Sequence, residues 1–327
     1  MKNQTYKLIV GWTCAIVLLY VAFFSLVSLF SINTLEAAST YVNDSIAARV
    51  NVTNMAPKVV GLIVDDWTAS PVNEIDLVSG WYRKVYCNGT VVDYNGKDDI
   101  IACNATLFYT GNRSGQWNDM NEHYSNNSCI LVRSGIYNKT FSCSFNVWFF
   151  ANNGTWWCNM SAWDNGTANL NRQPAYNSSR DDAKINPLYS LNVPPVVEFG
   201  ELSLGSTSTN KIINVTNTGN MNLDLNLYGY GSTKVPAVEN NLSMECRIGN
   251  ISVNRMHFDN NSADTYDNMF NLSGRFKGPK LMHMNIRQRK SEIKNSTNAT
   301  YWKIKIPQYA VKGTCNGTIV FNSARVT

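Results

Sequence analysis

The chain has 327 residues, of which 44% are hydrophobic and 16% charged, and a formal net charge of +5. That length accommodates two ordinary domains with cores of their own, and the hydrophobic content excludes a disordered chain. The charge is too small and too dispersed for a nucleic-acid binder, and no RNP-type motif, Walker lysine or zinc-type Cys/His spacing accompanies it.

After "MKNQTYK" comes "LIVGWTCAIVLLYVAFFSLVSLF", residues 8–30, with no charge in 23 residues. A signal-peptide core runs to roughly 7–15 residues, whereas this stretch is long enough for a helix that spans a bilayer. Lys2 and Lys7 precede it and Glu36 follows, which keeps the N-terminus in the cytoplasm and sends the rest outside. Residues 1–38 therefore form a membrane anchor, or a cleaved signal, since "SINTLEAAST" offers small residues to a signal peptidase. Length favours the anchor. Residues 39–53, "STYVNDSIAARVNVT", alternate apolar and polar and read as an extended segment.

Beyond residue 53, short alternating runs are punctuated by Asn-Gly, Gly and Ser clusters, and long 3.6-period stretches are lacking. That pattern predicts an all-β fold, with two β-sandwich domains following one N-terminal hydrophobic helix. The blocks run over residues 54–170 and 193–327, with the polar stretch 171–192 as a linker. In the first block, "CSFNVWFFANNGTWWCNMSAWD" carries two β-rich runs around Asn153-Gly154, the strongest two-residue turn signal. A hairpin there sets Phe149 opposite Cys158 and Val147 opposite Met160 on one face. The other face then carries Trp148, Phe150, Trp157 and Trp163 together with Asn159. So much aromatic area on one face is either an interface for sugars or a partner protein, or is covered by a neighbouring strand or the second domain.

Asparagine is the outlier of the composition. There are 44, and 20 of them open an Asn-x-Ser/Thr sequon. With 51 Ser and Thr, random order would give about 7, so the excess points to glycosylation of a translocated chain. Four sequons follow a cysteine directly: Cys87-Asn88, Cys103-Asn104, Cys158-Asn159 and Cys315-Asn316. Strand alternation turns such a cysteine inward and its asparagine outward, where a glycan has room. Asn88, Asn104, Asn159, Asn214 and Asn316 are the glycan sites expected on strands.

Seven cysteines lie outside the apolar stretch, and in a translocated protein these form disulfides. Cys246 and Cys315 are the pair available to the second block. Cys129 and Cys143 bracket a short polar loop and close it. Of the remaining three, a Cys87–Cys158 bridge between sheets is the first choice and Cys87–Cys103 across a hairpin the rival. Either way one thiol is left over.

No catalytic residue can be nominated. The three histidines are dispersed, and His123, in the polar run "QWNDMNEHYSNNS", reads as a solvated side chain. Adjacent carboxylates such as Asp65-Asp66 point to opposite faces of a strand and make no acid–base pair. No cofactor is expected apart from a calcium candidate at "DYNGKDD", where Asp93, Asn95, Asp98 and Asp99 supply hard oxygens in a turn. An ordinary turn stabilised by Asx side chains is the simpler reading of it. The basic run of residues 274–296 suits an acidic glycan, lipid headgroups or a partner surface, with a solvated strand face as the simpler alternative.

With "NMAPKVVGLIVDD", "VVDYNGKDDI" and "NGTWWCNMSAWDNG" in the first block, the chain resembles secreted archaeal surface proteins built from tandem Ig-like β-sandwiches. "VVEFGELSLGSTSTNKIINVTNTGNMNLDLNLYGYG" and "TYWKIKIPQYAVKGTCNGTIVFNS" carry the resemblance in the second. The "FGELSLG…NVTNTGN" portion is also similar to MSP/ASH-type domains and TasA-like matrix and pilus subunits. The Asn153-Gly154 hairpin departs from an Ig pattern, in which no two-residue turn joins the strand of the second cysteine to the strand before it. The expectation is a non-enzymatic, heavily N-glycosylated protein on the outer face of the membrane or secreted, serving adhesion, envelope structure or cell–cell contact. Its partners would be the membrane, through the N-terminal helix, and other surface proteins or glycans. The alternative is a self-assembling extracellular filament subunit that donates residues 39–53 as a strand to the next subunit.

Overall fold

The computed structural model describes residues 45–68, 71–110, 119–165, 182–235, 237, 241–291 and 293–326. The anchor expected over residues 1–38 lies outside them, and among the described residues no helix is long and apolar enough to cross a membrane. Residues 45–52 are exposed and form no strand, and Thr53–Thr327 make one compact unit.

That unit is all-β and contains two hydrophobic cores. The first is enclosed by β1 (Lys58–Asp65), β2 (Glu74–Ile75), β3 (Tyr82–Val92), β4 (Ile100–Tyr109), β5 (His123–Asn126), β6 (Ile130–Ser134), β7 (Asn138–Trp148), β8 (Gly154–Asp164) and β9 (Asp182–Ile185). Burial along β3, β7 and β8 alternates residue by residue, which makes each a strand with one face in the core. The sheets have the orders β1-β3-β7-β6 and β2-β9-β8-β4-β5, antiparallel except for the parallel pair β2 and β9. In sequence-order letters these are an ABED sheet and a GFC sheet of an immunoglobulin-like sandwich, with one further strand beside C and a short first-strand extension beside G. The bridge between β3 and β8 is the inter-sheet disulfide of that fold. Trp156, two residues before Cys158, donates its indole N–H to the Asn152 carbonyl at 2.8 Å. It occupies the place of the tyrosine that locks the same corner in immunoglobulin domains.

The Asn153-Gly154 hairpin does not form. β7 pairs with β3 and β6, β8 pairs with β4 and β9, and the connection between them arches from one sheet to the other. The alternation phase is as expected, with Phe145, Val147, Cys158, Met160 and Ala162 all in the core. Those inward faces meet across the sandwich rather than side by side. Facing layers bury both faces, which a lone two-stranded ribbon cannot do.

The second core lies among β10 (Leu191–Asn192), β11 (Lys211–Asn217), β12 (Leu223–Tyr230), β13 (Leu242–Ile248), β14 (Asn250–Ser252), β15 (Met256–Asp259), β16 (Phe270–Asn271), β17 (Lys280–Ile286), β18 (Thr297–Ile304), β19 (Lys312–Asn316) and β20 (Thr318–Arg325). One layer is β10-β11-β18-β15-β16. The other layer is β17-β12-β20, which β19 continues toward β13 and β14. Trp302 is fully buried at the centre, its indole N–H on Thr300 Oγ1 at 2.8 Å.

The stretch 171–192, expected as a linker, contains a core strand. β9 pairs with β8, and Ala183 and Ile185 are fully buried in the first core. Leu188 packs on the first core and Tyr189 on the second, so the chain changes sandwich between these two residues. The seam is hydrogen-bonded. Asn220, 1% exposed, accepts the Leu188 N–H at 2.6 Å and donates to the Ala151 and Asn186 carbonyls. Beside it Gly219 has no alternative, since a Cβ there would stand 2.1 Å from the Leu188 oxygen.

A β-bulge between β12 and β17 is stapled by Asp224, 1% exposed. Its carboxylate accepts the Met284 and Asn285 N–H groups, both at 2.9 Å, and His283 Nδ1–H at 3.0 Å. Burial pushes this carboxyl upward, but the three hydrogen bonds and the His283 charge outweigh it and leave Asp224 below the usual 3.8. A group whose pKa is depressed in the folded state stabilises above its unfolded pKa, and that contribution is lost as pH falls through the folded value. Asp224→Asn is therefore expected to lower the melting temperature at pH 7. The difference from wild type should narrow steadily below about pH 4. A constant difference from pH 7 to pH 2 would contradict this.

Candidate ligand groove

β6 pairs with only the first part of β7, Lys139 to Ser142, and among the described residues the later part of that edge has no strand neighbour. Side chains of β5 serve that edge instead. Asn126 Nδ2 donates to the Ser144 carbonyl at 2.9 Å, and the Tyr124 hydroxyl accepts the Trp148 N–H at 3.0 Å while donating to the Met120 carbonyl. Between them opens a groove of about 670 Å³ lined by Tyr82, Lys84, Tyr124, Asn126, Asn146 and Trp148 among others.

The β3–β7 register sets Tyr82 beside Trp148 and Lys84 beside Asn146, all on the outer face of the sheet. Trp81 stacks on Tyr82 at 5.2 Å between ring centroids and meets Trp148 edge-on at 5.9 Å. Tyr82 and Trp148 are 5.8 Å apart. Trp81 is 57% exposed, Tyr82 and Trp148 are half-buried, and Lys84 and Asn146 are exposed. Flat rings at one end and amide, hydroxyl and ammonium groups along the rest make a mixed surface of the kind that orients a small polar ligand.

The four aromatics expected on one face are dispersed by the arch between β7 and β8. Trp148 lines the groove. Phe150 is fully buried in the seam, its carbonyl accepting Asn121 Nδ2 and Gln288 Nε2, with the Arg289 guanidinium 5.1 Å from its ring centroid. Trp157 lies on the other sheet, edge-on to Phe108 at 5.9 Å, and Trp163 lies farther along the same strand. Arg289 thereby leaves the solvated basic run and becomes a seam residue.

Cys87 is bonded to Cys158 with Cα atoms 6.4 Å apart, Cys129 to Cys143 at 4.4 Å and Cys246 to Cys315 at 3.8 Å. Cys103 is a free thiol, 5% exposed, and burial pushes it up to about 12. Its sulfur lies within 4.8 Å of those of Cys129 and Cys143. Since these two share a disulfide, the three make no thiolate metal site. Asn214 and Asn316 are exposed, and Asn88, Asn104 and Asn159 are half-buried, the Asn88 Oδ1 lying out of solvent. His123 is not solvated. It is 1% exposed, paired across the sheet with Phe108 at 6.4 Å between rings.

The calcium candidate splits. Asp98 is exposed and its carboxylate is taken by Lys97 Nζ at 2.6 Å. Asn95 accepts the Met55 N–H through Oδ1 at 2.7 Å. Asp93 and Asp99 instead come together with Asp164, at the end of β8. Trp81, Tyr82, Lys84, Tyr124, Asn126 and Asp164 are residues that reading the sequence did not single out. "WY" before an alternating run was the one local trace of Trp81 and Tyr82.

No protein-family model matches the sequence, and no curated protein matches it. Among solved structures, a marsupial T cell receptor is similar at 9% identity, over 83% of this chain and 72% of that one, with a TM-score of 0.23. An overlap of that quality carries no weight. The immunoglobulin-like assignment rests on strand order, the inter-sheet disulfide and the Trp156 corner. Three disulfides and that fold point to a protein folded outside the reducing cytoplasm.

Proposed function

We propose that the chain is a non-enzymatic, N-glycosylated cell-surface adhesion protein, held to the membrane by residues 1–38, and that its groove binds saccharide chains of a neighbouring surface. The observation that supports this reading is the cluster of Trp81, Tyr82 and Trp148 beside the polar wall of Lys84, Asn126 and Asn146. Sugar rings present apolar faces that stack on flat aromatics and hydroxyls that pair with amides, and Lys84 favours an acidic sugar. Asn126 opens a sequon, yet the nitrogen a glycan would take donates to Ser144, so that asparagine serves the groove wall bare.

The experiment is adhesion of the full chain, displayed on beads, to its own cells and to isolated surface glycans. Tyr82→Ala and Asn146→Ala are each expected to weaken glycan binding at least tenfold with the melting temperature nearly unchanged. Binding that survives both substitutions rejects the groove. A second reading has one observation in its favour, the β6 edge, whose five residues are all exposed and include Ile130, Leu131 and Val132. Fibres in electron micrographs of the same preparation, built from chains that start near residue 39, would replace adhesion by a filament joined through that edge.

A further inference from the structure

Three carboxylates meet at the end of the first sandwich where the β3–β4 turn and the end of β8 converge. Asp93 follows β3, Asp99 closes the 3₁₀ turn Lys97–Asp99, and Asp164 ends β8, opposite Ile100 of β4. Each offers an oxygen to a group whose members all lie within 4.8 Å of one another. Asp93 and Asp164 are both fully buried and Asp99 is half-buried.

Crowded acidic side chains usually spread into solvent or recruit a cation, and buried charges without compensation are costly. Asp93 Oδ1 accepts the Asn95 N–H at 2.8 Å, but its Oδ2 is buried and has no hydrogen-bond partner. Among the described residues no lysine or arginine forms a salt bridge to Asp93 or Asp99. The ammonium of Lys139, nearby on β7, donates to the Ile100 carbonyl at 2.8 Å, and that of Lys97 is taken by Asp98. Among the described residues nothing meets the buried Asp93 Oδ2, which is the one oxygen of the site that still calls for a partner.

We propose that Asp93, Asp99 and Asp164 bind a calcium ion that ties the β3–β4 turn to the end of β8. The donors are all hard carboxylate oxygens, which suit calcium or magnesium and not zinc or copper. Adaptability of the coordination shell separates the first two. Magnesium demands a near-ideal octahedral shell and gives up its waters reluctantly, whereas calcium accepts an irregular set of carboxylates carried by separate elements of the fold. Three carboxylates and water fill the six to eight positions calcium takes. The ion would also fasten the point where the chain enters the sandwich. Asn54 Nδ2 donates to Asp164 Oδ2 at 2.9 Å, and Asn95 holds the Met55 N–H and the Thr53 carbonyl on the neighbouring turn.

The test uses the full chain with its disulfides intact, stripped with chelator and returned to chelator-free buffer. Calorimetric titration with calcium chloride is expected to show binding with a Kd between about 10⁻⁴ and 10⁻³ M, the range of extracellular modules. The melting temperature should rise by several degrees, and magnesium chloride should bind at least tenfold more weakly. Asp93→Asn and Asp164→Asn should each weaken calcium at least tenfold, while Asp98→Asn stays within twofold of wild type. In chelator, Asp93→Asn should melt above wild type because the neutral amide relieves the crowding, so its loss of binding is read on a folded protein. Absence of both heat and melting shift in wild type overturns the proposal. So does undiminished binding in Asp93→Asn and Asp164→Asn, or loss of binding in Asp98→Asn alone, which would move the ion out to the turn. None of these readouts depends on the groove.

Discussion

Trp156→Ala is expected to destabilise the first sandwich by roughly 3–5 kcal/mol, the range for removing a fully buried large aromatic. Trp156 has no exposed surface and is in contact with the rings of Tyr109 and Tyr124, at 6.0 and 5.9 Å between centroids. Its indole N–H also satisfies the Asn152 carbonyl in the arch between the sheets. Alanine therefore leaves a cavity and a stranded acceptor together. Trp156→Phe fills most of the volume and should cost about 1–2 kcal/mol, chiefly for the hydrogen bond. Denaturant unfolding of both variants makes the comparison, and a loss below about 1 kcal/mol for alanine would place Trp156 outside the core. Because Tyr124 forms one wall of the groove, the alanine variant should lose ligand binding as well.

Replacing Cys87 and Cys158 together by alanine is the second large effect. The bridge spans 71 residues, and closing a loop of that size restricts the unfolded chain by roughly 4 kcal/mol. Cys129 and Cys143, separated by 14 residues, should contribute about 3 kcal/mol. Denaturation midpoints of the two double-alanine proteins are expected to fall in that order, with the Cys87/Cys158 variant the less stable. The reverse order would mean that native-state strain, rather than loop closure, governs the two bridges.

The sandwiches were legible because their signal is local. The order Cys-Asn in "YCNGT" and "WCNMS" carries the inward and outward alternation of β3 and β8 within three residues. What could not be read was the choice of partner. An Asn-Gly pair promotes a reversal whether the chain returns beside itself or crosses to a facing sheet. The decision lies with Phe149 and Phe150, which enter a seam whose other side, Gln288 and Arg289, is about 140 residues away. Asp164 was invisible as a partner of Asp99 for the same reason, since the β4–β8 ladder alone brings them together. His123 looked solvated because its sequence neighbours are polar, but burial on a strand depends on the facing residue, here Phe108. Within the groove Trp148 was singled out, though from a face that does not exist. Tyr82 and Lys84 gave no sign of belonging with it, because their partners on β7 are more than sixty positions away.

The thiol of Cys103 has a temporal consequence. It lies against the Cys129–Cys143 bridge, within reach of an exchange that would break one sulfur–sulfur bond, form another and release a different thiol, with no outside oxidant. The attacking species is the thiolate, and raising the thiol from 9.0 to about 12 lowers its share about a thousandfold. The folded core thus acts as a clock that holds the pairing still. Once the strands separate the restraint vanishes, and three sulfurs that were sorted during folding become interchangeable. Correct pairing in this chain is therefore kept by burial of β4 rather than by the chemistry of the sulfurs, and it lasts as long as that strand stays covered.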